Sequence, residues 1–405
     1  MSRRVVTRSG LAAIPRGVWV LGLVSLCMDL SSELVHALLP LYLATVLGTS
    51  VAVIGLIEGM AEAIALFMKL FSGVLSDWTR KRKPLVLAGY GIAALSKFVF
   101  PLAATLPWIV GARFADRVGK GIRGAPRDAL IADITPPAIR GRSFGLRQAL
   151  DTVGGVGGPL LALGAMAVFV GDFRMVFWIA VIPAMLAVIL IVVGVDEPEP
   201  SAKAGAAKPR LRLADAGRMP PAFWFVVAIA GVLTLARFSE AFLLLRALNV
   251  GATVGTAPLV MVVMSLVYAA VSYPAGVALD RGHAPALLGW GLAALVAADV
   301  VLARADAMST VLLGTALWGL HMGLTQGLLS ALVATVAPDN LRGTAFGLFN
   351  IVSGVALLAA SMLAGWLWDA HGPAVTFYAG AIFTVVAAVG LWLRRAAVAA
   401  IGRGD

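Results

Sequence analysis

Apolar runs of about 20 residues recur from one end of this chain to the other, the length that a hydrocarbon layer roughly 30 Å thick demands of a spanning helix. Between turn signals they fall near 17–44, 51–75, 84–104, 107–131, 143–168 and 173–195, and then near 221–248, 254–278, 284–303, 308–335, 343–368 and 373–393. Hydrophobic residues make up 60% of the sequence and charged ones 13%, outside the range of soluble domains. The fold class expected is an all-α membrane protein with twelve transmembrane helices in two groups of six. The stretch from Asp196 to Pro221 is polar, rich in Pro and Ala and basic towards its end, a linker composition. The division expected is therefore a first half at 1–195, a linker at 196–220 and a second half at 221–405.

The net charge of +11 is explained by where the charges sit. Lys and Arg crowd alternate loops: Arg3, Arg4, Arg8 and Arg16, the run Arg80 to Lys83, Arg140 and Arg142, Lys203 to Arg218, and Arg394, Arg395 and Arg403. The intervening loops, around Thr49, Thr105, Asn249 and His371, carry almost none. By the positive-inside rule the crowded loops and both termini are cytoplasmic. No nucleic-acid partner is expected, and the localisation expected is the inner, or plasma, membrane. The basic amino terminus before an apolar run resembles a signal peptide, but that run is too long and carries Asp29 and Glu33, so it is read as a retained helix. Cys27 is the only cysteine, which leaves no intrachain disulfide to place.

The two groups of helices repeat one another. Thr135 to Leu146 aligns without a gap on Ala337 to Leu348, setting Arg140 on Arg342, Phe144 on Phe346 and Gly145 on Gly347. The segment ending at Asp77 matches the one ending at Asp280, and Ser32-Glu33 matches Ser239-Glu240. Parallel halves of this kind place a substrate site between them, near the midplane.

Three motifs make the whole chain resemble the major facilitator superfamily. Gly73, Leu75, Asp77, Arg80 and Lys81 follow the family's loop motif between the second and third helices, with Arg80 where a second glycine is usual. Arg113 stands where the family places a membrane-embedded arginine linked to proton transfer, although Asp116 and Arg117 replace the usual glutamine and glycine. Gly145, Gly154, Gly158 and Pro159 reproduce the spacing of the fifth-helix motif associated with export, departing at Ala162 and Leu163. The resemblance implies alternating access, with gating residues at Gly73, Asp77, Arg80, Lys81 and Asp280 and, through close helix packing, at Gly145, Gly154, Gly158 and Pro159.

Gly119, Gly121 and Gly124 spell GxGxxG, but the residues before them read as a membrane helix, not as the strand that a dinucleotide fingerprint requires. Arg113, Asp116, Arg117, Lys120, Arg123 and Arg127 instead recur every three or four residues and form one polar stripe on a helix, roughly 21 Å long from Arg113 to Arg127. Charges at that depth belong inside the bundle, while the end from Arg123 to Asp133, Arg127 and Asp128 above all, is expected to be solvated at the membrane surface. Carboxylates supply the balance: Asp29 and Glu33, Glu58 and Glu62 with Lys69 two turns on, and Asp151. The second half holds Arg237, Glu240, Arg246 and Asp299. Asp29, Glu33, Asp116 and Asp151 are the proton-coupling candidates; Arg113, Lys120, Arg237 and Glu240 are the candidates for substrate contact.

Surplus positive charge in a cavity favours an anionic or zwitterionic solute. His36, His321-Met322, Met261 and Met264 allow a soft-metal path to be drawn, with core packing as the simpler account. Trp108, Trp224, Trp366 and Trp368 fall where interfacial anchors sit. No cofactor and no resident metal is expected, and no GxxxxGK[ST] loop for ATP is present. The function expected is secondary transport with proton-coupled export of a small polar or anionic solute. A proton-coupled importer of a metabolite or metal ion is the alternative, and a membrane receptor or membrane enzyme the remote one. The partners expected are the solute, protons and the bilayer, with the oligomeric state left open, a monomer favoured, and no enzymatic activity expected.

Overall fold

The computed structural model describes residues 14–79, 81–197, 213–338 and 341–393, apart from the side chains of Asp77, Arg342 and a few others. In chain order its helices are α1 (Arg16–Thr45), α2 (Val51–Thr79), α3 (Arg82–Leu102), α4 (Leu106–Ile134), α5 (Arg140–Val168), α6 (Phe173–Gly194), α7 (Pro221–Ala236), α8 (Ala241–Asn249), α9 (Leu259–Asp280), α10 (Ala284–Ala303), α11 (Met308–Val336), α12 (Arg342–His371) and α13 (Pro373–Leu393). No strand occurs among the described residues. Eleven stretches are long and apolar enough to cross a membrane, α7 and α8 counting as one. The helix outside that set, α4, is long enough but carries the charged stripe.

The structure corrects two of the expected spans. The seventh does not run unbroken from 221 to 248: it stops at Ala236 and resumes at Ala241. Arg237, Ser239 and Glu240 fall in the gap, where the Ser239 N–H donates to Ser361 Oγ and the Ala241 N–H to Ser239 Oγ. Side-chain oxygens thus satisfy amides released by the break, as a membrane interior requires. The eighth span begins at Leu259 rather than near 254, because Thr253 and Thr256 close a turn through each other's hydroxyls and amides.

Helix α1 packs on α5 and α6, α2 on α4, and α3 on α4 and α6; likewise α7 packs on α12 and α13, α9 on α11, and α10 on α11 and α13. Individual contacts recur in the same way. A Cβ at Gly89 would meet Gly119 and Arg123, and one at Gly291 would meet Thr325, with the His321 carbonyl next to it. Each of these residues is separated from its counterpart by the spacing between Arg140 and Arg342. The two groups meet along α2 with α12, α5 with α9, and α1 with α8.

Their cores differ at the two ends of the bundle. At the end that carries the α1–α2 loop, one apolar core joins both groups, running from Leu38, Tyr42, Phe100 and Phe177 to Phe238, Phe242, Trp318 and Phe377. At the end that carries the α2–α3 loop the cores are separate. Val18, Leu21, Tyr90 and Ile131 form one in the first group, while Phe223 and Val333, and Leu233 and Leu288, anchor two in the second. Dispersion contacts and close backbone approach hold such helices together in lipid, so the bundle is welded at the first end and split at the second.

Candidate functional site

Arg113, Asp116 and Arg117 of the α4 stripe are buried; Arg123 and Arg127 are buried too, against the solvated surface expected for that end, while Lys120 and Asp128 are half-buried. Arg113 and Glu58 are wholly buried and lie 2.5 Å apart. His36 Nδ1 accepts from Arg113 at 2.8 Å and from Arg117 at 3.3 Å. With Nδ1 used as an acceptor, the ring proton sits on Nε2, which faces Glu240 Oε2 at 3.8 Å. Arg117 also reaches Glu62 at 3.2 Å. Lys97 Nζ donates to Asp116 Oδ1 at 2.7 Å, and both side chains are shut away from solvent. Each charge is compensated within one network drawn from α1, α2, α3 and α4.

Nearer the split end a second layer follows. Arg123 reaches Asp29 at 3.4 Å and stands over the Tyr90 ring at 4.7 Å from its centroid. Arg127 donates to Ser25 Oγ at 2.8 Å. Asp151 lies 3.7 Å from Arg127 and 2.6 Å from Arg147.

Between the groups lies a cavity of about 210 Å³, with Glu33, Asp151 and Gly155 from the first group among its lining and Glu240, Met261, Met264, Ser265 and Met322 from the second. It shares Gln148, Thr152, Tyr268, Met322 and Gln326 with a larger cavity of about 530 Å³ that extends to Lys69, Leu279 and Leu287, at the split end. The opposite end is closed by the shared core and by Asp369 at the end of α12, which accepts from the amides of Val51 and Ala52 that open α2.

Of the residues expected to couple protons, Glu33 and Asp151 line the smaller cavity, whereas Asp29 is engaged by Arg123 and Asp116 by Lys97. Of those expected to touch substrate, only Glu240 lines it. Arg113 is turned onto Glu58 and His36 and does not reach the cavity. Lys120 and Arg237 are half-buried and border neither cavity. The lining charges of the smaller cavity are thus carboxylates, the opposite of the positive surplus expected from the stripe, because that stripe is neutralised within its own group of helices.

Among the gate residues, Gly154 and Gly158 seat α5 on α1, where a Cβ would come within 2.7 Å of the Leu26 carbonyl and 2.6 Å of Glu33 Cβ. Pro159 is buried inside α5, which continues through it. Gly145, Lys81 and Asp280 are exposed and Gly73 is half-buried. Arg80 and the Asp77 side chain lie outside the described residues.

Sequence reasoning missed Lys97, Asp369 and the role of His36; it named Glu58 and Glu62 among the balancing carboxylates without assigning Arg113 and Arg117 as their partners. A lone lysine in the middle of an apolar run was the available signal for Lys97. His36 belongs to the ionic network, and His321 Nδ1 lies 2.8 Å from the Gly291 carbonyl oxygen. Among the described residues no cluster of His, Cys, Asp or Glu could hold a metal ion. Trp108, Trp224 and Trp366 are exposed as anchors would be, but Trp368 is partly buried and packs on Phe242 and Phe377 at the edge of the core.

The profile of the Major Facilitator Superfamily matches residues 21–248 and 241–403. An uncharacterized MFS-type transporter of Methanocaldococcus jannaschii is 29% identical over 381 residues, 92% of this chain and 93% of that one. The multidrug resistance protein MdtH of Photorhabdus laumondii is 30% identical over 155 residues, 38% of this chain and 37% of its own. The crystal structure of the nucleoside transporter NupG superposes with a TM-score of 0.74 at 15% identity, covering 93% of this chain and 98% of that one.

Proposed function

This chain belongs to the major facilitator superfamily, and from that premise we propose that it is a proton-coupled secondary transporter exporting a small polar solute that bears a positive group. Two six-helix halves, 1–195 and 221–405 on either side of the linker, rock about the seam with both termini in the cytoplasm. The repeated helix contacts and the alternation of basic loops support that arrangement. The observation that carries the reading is the cavity between the two groups of helices, bounded by Glu33 and Glu240, continuous with the split end and sealed at the other.

With basic loops on the cytoplasmic side, the arrangement seen is the one that faces inward. A solute entering from the cytoplasm meets three carboxylates, two amides and the thioethers of Met261, Met264 and Met322, a lining suited to a cation with an apolar body. Glu33 and Glu240 face each other's halves across the cavity, so either can exchange a bound solute for a proton as the halves move. Asp116, fixed by Lys97, and Asp29, fixed by Arg123, serve as the framework. Likeness of the matched segment to a multidrug resistance protein and the spacing of Gly145, Gly154, Gly158 and Pro159 favour export from a bacterial or archaeal plasma membrane.

The test is the internal pH of sealed proteoliposomes holding the purified protein, with organic cations, zwitterions and anions added in turn. Proton movement opposite to that of a cation, abolished in Glu33→Gln or Glu240→Gln, is the expected result. Movement in the same direction would make the protein an importer. No solute-dependent movement across the panel by folded protein would overturn proton coupling.

A further inference from the structure

The bonded pair Lys97 and Asp116 has a counterpart of different chemistry in the second group of helices. At the spacing that separates Arg140 from Arg342, Lys97 of α3 falls on Asp299 of α10, and Asp116 of α4 falls on Trp318 of α11. Asp299 and Trp318 are both wholly buried. Neither oxygen of Asp299, nor Trp318 Nε1, has a hydrogen-bond partner. The α13 backbone closes over the carboxyl group: a Cβ at Gly380 would stand 2.7 Å from Asp299 Oδ2 and 3.2 Å from Phe238 Cε1. Phe238 lies in the break between α7 and α8 and packs on Trp318 and Phe377.

The charged and titratable groups on the surrounding elements are engaged elsewhere or lie away from it. Arg246 of α8 spends its guanidinium on the carbonyls of Leu302, Ala303 and Ala305 and on Asn249. His321 of α11 meets the Gly291 carbonyl, and Arg304, just beyond α10, meets the Tyr378 hydroxyl of α13. Arg237 and Glu240 lie in the break itself, and none of these groups makes an ion pair or hydrogen bond with Asp299. Tyr268 and Tyr273 are the titratable side chains of α9 short of its terminal Asp280. The first lines the cavities and the second is exposed. An ionised carboxylate needs a cation or several donors when it is taken out of water, whereas the neutral acid does not.

We propose that Asp299 is a proton-binding site separate from the central cavity, occupied by a proton in the arrangement seen here. On release the acid's O–H bond breaks and the proton passes to water, leaving a carboxylate that requires hydration. The contact between α10 and α13 at Gly380 excludes that water here. Asp299 lies only about 6 Å along the helix from the end of α10 at Ala303, so the welded end is the nearer exit. Movement of Phe238 with the helix break would open the path, linking this proton to the same rearrangement that carries solute.

Infrared spectroscopy of the full-length protein in lipid vesicles tests the occupancy without any solute. Wild type should show the carbonyl stretch of a protonated carboxylic acid persisting at mildly alkaline pH and shifting slowly in heavy water. The band should be absent in Asp299→Asn, displaced in Asp299→Glu, and retained in Trp318→Phe. If the wild-type band appears only in acid, together with those of exposed carboxylates, or is unchanged in both Asp299 variants, the site is not protonated and the proposal fails. Because the readout needs no transport, loss of the solute reading would leave it intact, and its own failure would leave that reading intact.

Discussion

Asp369, at the end of α12, holds the first turn of α2 through Ala52, whose N–H donates to Oδ2 at 2.8 Å. The companion oxygen accepts from Val51 at 3.2 Å. A carboxylate supplied by one group of helices thus caps a helix of the other, satisfying amides that α2 cannot bond internally and complementing the positive end of its dipole.

Removing that cap should loosen the welded end. In Asp369→Ala the loss is about 1 kcal/mol, which shifts a two-state equilibrium roughly fivefold towards opening at that end. A cysteine introduced as Ala364→Cys, buried in the shared core, reports it: its thiol-labelling rate in vesicles should rise by a similar factor. An unchanged rate would mean that the core alone keeps this end closed.

Helices α2 and α12 also touch where a side chain has no room. A Cβ on Gly55 would come 2.3 Å from the Ser361 carbonyl oxygen and 3.0 Å from the Phe242 ring, and carbonyl backbone cannot swing aside as a side-chain tip can. Gly55→Ala should therefore force the helices apart at a cost of about 1–3 kcal/mol. A lowered midpoint of thermal unfolding in detergent is expected; a midpoint equal to wild type would show that this seam has slack.

The Lys97–Asp116 pair gives a double-mutant test. Lys97→Met strands a buried carboxylate and should destabilise the protein by about 3–5 kcal/mol. Adding Asp116→Leu removes the stranded charge and should recover most of that loss. If the double variant is no more stable than the single one, Asp116 is held chiefly by Arg117, 3.9 Å away, and by Ser32.

Glu240 should matter to solute binding more than to folding, since it meets the His36 ring at 3.8 Å and faces the cavity. For a small organic ammonium such as phenethylammonium, Glu240→Gln should weaken binding roughly tenfold, the effect of one charge-assisted hydrogen bond. Titration of tryptophan fluorescence measures it. Equal affinity in the variant would remove Glu240 from the site.

The amino-acid sequence alone determined that the chain is an all-helical, multi-pass membrane protein, since run length against bilayer thickness leaves little freedom. It also pointed to the deep part of the α4 stripe, from Arg113 to Lys120, turning inward, because unpaired charge is intolerable against lipid; the burial of Arg127 against Ser25 came from the packing of α1. The sequence pointed to Glu33, Asp151 and Glu240 as polar groups at cavity depth. Tertiary structure alone decided which charges remain for the solute. Arg113 and Arg117 are consumed by Glu58, Glu62 and His36, residues far apart in sequence whose meeting no periodicity encodes. The break at Arg237–Glu240 likewise depends on Ser361 arriving from α12 to bond the Ser239 amide. Composition sets how much charge a membrane chain carries, but pairing sets its sign in the cavity, and pairing depends on distances that exist only after the helices pack.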